Sequence, residues 1–157
     1  MWPLAYVLAF MALAGTVALL RANASPDPDL MRAQAIAYNG SAYKMAAMNY
    51  AAANPGTVGS VPDVSLSLPG WYVNMGWANA VNGPAVTVYL ASIADLRTGE
   101  IAYAVSQLTQ QSWLAGIAAN GTLFASGIGD TGIVLPPGIP SGSPVLIGYA
   151  YYTGEAF

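Results

Sequence analysis

Two apolar stripes recur at seven-residue spacing between Leu30 and Ala53: Met31, Tyr38 and Met45 form one, and Ile36, Tyr43 and Tyr50 the other. Residues seven apart share one side of an α-helix. The segment therefore reads as a long Ala-, Met- and Tyr-rich helix with two apolar sides, one for its own sheet and one open to another subunit. Asp27 can cap it, Pro28 can occupy its first position, and Asp29 suits the positive end of its dipole. Asn54-Pro55-Gly56 stops it. Asn39-Gly40 could break it into two pieces, because glycine costs about 1 kcal/mol in a helix interior.

Thr57 to Gly70 reads as a loop with short extended pieces. Trp71 to Trp77 and Ala85 to Leu90 then read as strands joined across Asn79 to Pro84, with Asn82-Gly83 as the turn. Ile101, Val105 and Leu108 repeat at helical spacing and predict a helix over Thr98 to Gln111. Trp113 to Ala119 and Thr122 to Ser126 flank Asn120-Gly121, the strongest hairpin signal in the chain. Gly127 to Pro144 is rich in Gly and Pro and reads as a loop, and Val145 to Tyr152 supplies a last strand. The order helix, two strands, helix, three strands predicts an α+β domain with a mostly antiparallel sheet.

Ahead of this domain, Trp2 to Leu20 carries no charged side chain. As a helix it spans roughly 28 Å, close to a bilayer core of about 30 Å. Trp2 and Tyr6 suit one interface, Leu13 and Leu20 belong to the apolar stretch, and Arg21 marks the other end. Residues 1–24 are thus expected to be a single transmembrane anchor, and 25–157 the domain it carries. Ala22-Asn23-Ala24 before Ser25-Pro26 leaves a cleaved signal peptide as the alternative. Arg21, on the C-terminal side of the apolar run, argues by charge alone for a cytoplasmic domain.

Composition narrows the function. Hydrophobic residues make up 55% and charged residues 7%, against about 25% charged in ordinary soluble domains. Polar character comes instead from Ser, Thr, Asn, Gln and Gly, a surface suited to envelope or secreted assemblies that meet other proteins. The net charge is −3, and the cations Arg21, Arg32, Lys44 and Arg97 are scattered, so there is no phosphate-tracking patch and no nucleic-acid partner is expected. The chain has neither Cys nor His, which removes thiol nucleophiles, imidazole bases and the usual zinc ligand sets.

The motifs that remain are weak. Gly127-Ile128-Gly129-Asp130-Thr131-Gly132 matches the dinucleotide fingerprint by letter, but Pro136-Pro137 cannot open the helix that would hold a pyrophosphate. Ser41-Ala42-Tyr43-Lys44 has the spacing of an acyl-transfer Ser/Lys pair, without the partner motifs of that chemistry. Asp63, Asp95, Glu100, Asp130 and Glu155 are dispersed and read as caps, turns and solubilising charges. Asn39-Gly40-Ser41 and Asn120-Gly121-Thr122 fit the glycosylation pattern and read as turns. No catalytic, cofactor-binding or metal-binding residue is assigned. Among the aromatics, Trp71, Tyr72, Trp77, Tyr89, Trp113, Tyr149, Tyr151 and Tyr152 should mostly build the sheet core, with a minority left for a partner. Tyr38, Tyr43, Tyr50 and Trp113 are the candidate partner contacts.

The uncharged anchor, the helix from Ala33 to Ala53 closing in Ala-Asn-Pro-Gly and the segment Trp71 to Trp77 combine with three further stretches. These are Gln107-Leu108-Thr109-Gln110-Gln111-Ser112-Trp113, Leu135-Pro136-Pro137-Gly138-Ile139-Pro140 and Gly148-Tyr149. Together they resemble the PilM family of type IVb thin-pilus biogenesis proteins, found in conjugative-plasmid pilus systems. That family is distinct from the actin-like cytoplasmic protein sharing its name. The resemblance implies an inner-membrane component of a pilus assembly apparatus or basal body, its domain in the periplasm, without enzymatic activity or cofactor. Its partners would be other pilus-assembly proteins, with a second copy of the chain also open. A pseudopilin-like role is the nearest alternative, although Trp2 to Leu20 has neither the basic leader nor the early glutamate of a prepilin. An envelope hydrolase acting on peptidoglycan, through Ser41 and Lys44 or a carboxylate pair, is the more distant one.

Overall fold

The computed structural model describes residues 27–92 and 98–151. A 26-residue helix, α1 (Pro28–Ala53), opens the domain. Asp27 accepts a hydrogen bond from the Asp29 amide at 3.0 Å, with Pro28 at the start of the first turn. At the other end the Asn54 amide and side chain both donate to the Tyr50 carbonyl. The helix runs unbroken through Asn39-Gly40. Gly40 lies against the indole of Trp77, and a Cβ there would clash with three of its ring carbons. The Trp77 Nε1 donates to the Ile36 carbonyl at 3.0 Å. Glycine is tolerated in mid-helix here because it admits a large aromatic to the helix backbone.

Strands β1 (Val58–Gly59), β2 (Trp77–Asn82) and β3 (Ala85–Leu90) form an antiparallel meander. Helix α2 (Thr98–Leu108) follows, and then a second meander of β4 (Ala115–Ala119), β5 (Thr122–Ala125) and β6 (Gly129–Val134). The last strand, β7 (Pro144–Tyr149), inserts between the two meanders, pairing antiparallel with β3 and with β4. The sheet order is β1-β2-β3-β7-β4-β5-β6. The near-continuous apolar run of β7 explains its place: both faces are buried, as a central strand requires.

Both helices lie on one face of the sheet and pack against each other. That face contributes Trp77, Val81, Val86, Val88, Leu90, Ala115 and Leu146, which meet Ala33, Ile36, Ala37, Tyr43 and Ala47 of α1 and Ile101, Ala104 and Val105 of α2. The opposite face has its own cluster, Ala118, Leu123, Val145 and Ile147, covered by Leu135 with Ile133 and Ile139 beside it.

Two strand expectations are corrected. The strand read at Trp71 to Trp77 begins only at Trp77; residues 71–76 are loop, ended by Gly76 at φ 93°. The stretch read as a loop from Gly127 contains β6, an edge strand with a bulge opposite β5. Its glycines at positive φ hid it from any strand pattern. The Asn120-Gly121 hairpin forms as read, with both turn residues at positive φ (51° and 81°). Helix α2 ends three residues early because Gln110 and Gln111 turn into the left-handed region.

Candidate functional site

The loop between β1 and β2 folds over the outer flank of α1, and two neighbouring aromatics fasten it there. Trp71 stacks on Tyr38 with ring centroids 5.6 Å apart, and Tyr72 stacks on Tyr43 at 5.7 Å. Tyr38 lies on the stripe with Met31 and Met45, Tyr43 on the stripe with Ile36, so one ring pair is outside and the other inside. Trp71 and Tyr38 are 55% and 60% exposed, whereas Tyr43 is 1% exposed.

A polar network holds the inner pair. Tyr43 donates its hydroxyl proton to Asp63 Oδ1 at 2.7 Å and accepts from Asn79 Nδ2 at 2.9 Å. Asn79, buried on β2, also brackets Val61, accepting from its amide and donating to its carbonyl at 2.8 Å each. Asn74 donates to the other oxygen of Asp63, and Asn39 donates to the Val73 carbonyl at 3.0 Å. Residues 61–74 are thus tied to α1 and β2 by side chains rather than by sheet pairing. Burial, together with the hydrogen bond to Asp63, holds the Tyr43 phenol well above its ordinary pKa. Burial and the nearby Asp63 charge push Tyr72 up to about 12. The Tyr72 hydroxyl and Asn39 Oδ1 are buried without a hydrogen-bond partner.

Outside this lock, the surface is apolar and aromatic. Met31 and Met45 continue the Tyr38 stripe in the open, Val73 stands exposed beside Trp71 in sequence, and Tyr103 and Leu108 of α2 are exposed across a groove of about 350 Å³. Leu30, Gln34 and Tyr38 form the α1 wall of that groove. Contiguous exposed apolar surface of this kind marks contact sites in soluble proteins. On the other sheet face a larger groove of about 620 Å³ runs from Val58 across Ala80, Ala85 and Thr87 to Pro136 and Pro137, with Tyr89 and Tyr149 in its wall. It is lined by no acid, lysine or arginine.

The four candidate contacts therefore divide. Tyr38 is exposed and paired with Trp71. Tyr43 is in the core, where its hydroxyl and ring are used within the chain, and it offers no surface to a partner. Tyr50 is half-buried against the same core. Trp113 is exposed on the connection between α2 and β4 and takes part in neither ring pair. The contribution of Trp71 follows from its stacking, which no local pattern foretells.

Ser41 and Lys44 lie one helical turn apart on α1, both half-buried. Lys44 lies half-buried, with its Cδ toward Gly148 of β7, and burial lowers its pKa. Neither residue lines the grooves described above. Asp130 accepts from the Gly132 amide in an edge strand, so the glycine-rich stretch there is not a phosphate cradle. Among the described residues no cluster of carboxylates could hold a metal ion, and no helix is long and apolar enough to cross a membrane. Trp2, Tyr6, Leu13, Leu20 and Arg21, the residues of the expected anchor, lie outside the described residues.

The model of the PilM family matches residues 8–147. This chain belongs to the PilM family. The crystal structure of a protein designated PilM from Escherichia coli B7A shares the fold, with a TM-score of 0.57 at 18% identity over 80% of this chain and 98% of that one. A pilM protein from Pseudomonas aeruginosa 2192 is 30% identical over 75% of this chain and 94% of its own, with a TM-score of 0.45. The search of curated proteins found no match. The matched range includes α1 and the Leu135–Pro140 segment. The first carries the exposed Tyr38–Trp71 stack, and the second packs Leu135 and Ile139 on the back of the sheet.

Proposed function

We propose that this PilM-family chain is a non-enzymatic component of a type IV pilus assembly apparatus, acting through protein contacts at the inner membrane. The observation that carries the proposal is the exposed Tyr38–Trp71 stack on an otherwise uncharged helix face. Large aromatics held rigidly at a surface are favoured anchors for partners, because little conformational entropy is lost when they are covered. Fixing Trp71 by stacking and the loop by the Tyr43–Asp63–Asn79 network prepares that face in advance.

The uncharged run Trp2 to Leu20 would hold the domain at the membrane, and the domain would stand on the periplasmic side. Residues 25–27, with Pro26 among them, would separate the anchor from α1. The partners would be other proteins of the pilus machine.

Deleting the gene in its host should abolish piliation, and the wild-type chain supplied in trans should restore it. Lys44→Ala should restore it equally, because this proposal gives the lysine no chemistry. Trp71→Ala should fold normally yet restore piliation poorly. A deletion strain that still assembles pili would overturn the proposal, and a folded Lys44→Ala chain that fails to complement would favour an enzyme instead.

A further inference from the structure

The outer face of α1 carries a second heptad seam that the domain itself leaves uncovered. Met31, Ala35, Tyr38, Ala42, Met45 and Asn49 follow one another at alternating spacings of four and three residues, the spacing by which two helices pack knobs into holes. Met31, Tyr38 and Met45 are 55%, 60% and 55% exposed. Ala35 and Asn49 are also exposed, and Ala42 is half-exposed. No charged side chain lies on the seam. Of the cations of α1, Arg32 falls on one flank of the seam by helical spacing, and Lys44 lies on the opposite side of the helix, toward Gly148 of β7.

The seam also alternates in size: Met, Ala, Tyr, Ala, Met, Asn. The alternation determines the partner it fits. In a parallel pair each residue would meet its own copy, setting Tyr38 against Tyr38 and Ala35 against Ala35. In an antiparallel pair with a two-fold axis at residue 40, Met31 faces Asn49, Ala35 faces Met45, and Tyr38 faces Ala42. Every large side chain then lies over a smaller one, as interdigitated packing requires. A surface complementary to itself under a two-fold rotation is the defining property of an isologous dimer.

We infer that two copies of this chain associate through the outer faces of α1, antiparallel and centred at residue 40. The face does not end at the helix. Trp71, stacked on Tyr38, and Tyr103, across the groove from it, stand on either side of the seam and would enlarge the contact. The inference gives the face invoked under the proposed function a specific occupant, a second copy, and rests on that reading only for its biological use.

Disulfide trapping tests it directly, because the chain has no cysteine of its own. Positions 35 and 45 lie roughly 15 Å apart along one helix, too far for a bridge within a chain, since bridged Cα atoms sit within about 7 Å. The full chain carrying both Ala35→Cys and Met45→Cys should form a covalent dimer under mild oxidation. Each single variant should form no covalent dimer, and the two singles mixed should cross-link to each other. Met45→Glu, on an exposed position, should keep the wild-type circular dichroism spectrum and weaken association at least tenfold in sedimentation equilibrium.

No covalent dimer from the double variant would overturn the inference. So would equal cross-linking by Ala35→Cys alone, which signals a parallel or random encounter, or unchanged association of Met45→Glu. The two readings fail separately. A chain that stays monomeric while its deletion abolishes piliation sinks the dimer and spares the assembly role. A trapped dimer from a gene whose loss leaves piliation intact does the reverse.

Discussion

Gly40→Ala should destabilise the domain, although glycine-to-alanine in a helix interior ordinarily stabilises it. Propensity alone would favour alanine by about 1 kcal/mol. Against this, the new Cβ would clash with the benzo ring of Trp77, which is 2% exposed. Overpacking of this kind costs about 1–3 kcal/mol. Moving the indole also lengthens its 3.0 Å hydrogen bond to Ile36, a further loss of about 1 kcal/mol. The net expectation is a loss of about 1–3 kcal/mol, which at about 4 °C per kcal/mol lowers Tm by about 4–12 °C for a domain of this size.

Urea unfolding followed by tryptophan fluorescence measures it, and a double-mutant cycle with Trp77→Phe isolates the cause. Phenylalanine removes the ring atoms that face Gly40. In that background the propensity term stands alone, and Gly40→Ala should become stabilising by about 1 kcal/mol. An equal loss in both backgrounds, or a gain in the wild type, would refute the explanation of why glycine sits in mid-helix.

Asn79→Ala should cost about 3 kcal/mol, because it strips partners from the buried Val61 amide and carbonyl and from the Tyr43 hydroxyl. Limited proteolysis should then cut within residues 61–75 under conditions that leave the wild type whole. Tyr43→Phe and Tyr72→Phe should move stability in opposite directions. The first loses two hydrogen bonds, about 1–2 kcal/mol, while the second removes a buried hydroxyl with no partner and should be neutral or stabilising by up to about 1 kcal/mol.

Both phenols have folded-state pKa values above the ordinary value of 10.0, so the fold favours their neutral forms. Their contribution is fully present below about pH 10 and is lost as the pH climbs through 12 and beyond. Absorbance at 295 nm should show tyrosines that ionise only as the protein unfolds, and early titration of every tyrosine would contradict the network. Finally, Gly116→Ala should be far worse than Gly148→Ala. The first meets the backbone of Phe124, which cannot yield without parting β4 from β5, and the second meets the flexible thioether of Met48. Thermal melts of the two variants give the comparison, and equal losses would count against it.

The two-sided nature of α1 was legible in the spacing of its apolar residues, and the Asn120-Gly121 hairpin in two adjacent residues that accept positive φ. Each is decided within one or two turns of chain, where local pattern and final structure answer to the same geometry. The edge strand β6 was not legible, because its glycines erase the alternation that would mark it. The polar lock was not either. Asn79 sits between Trp77 and Val81 on the core face of β2, and an asparagine there looks like a flaw until Tyr43, from 36 residues upstream, supplies its partner.

The sequence by itself determined the α+β class, the long helix α1, the absence of cysteine and histidine chemistry, and the family, since all of these depend on composition and short-range spacing. Only the tertiary structure decided which stripe of α1 is spent on the core and which remains open. Heptad spacing marks both stripes alike; the sheet and the loop at residues 61–74 can cover only one of them. By drawing Tyr43 inward and leaving Tyr38 outside against Trp71, the fold turned one of two equivalent faces into a surface available to a partner.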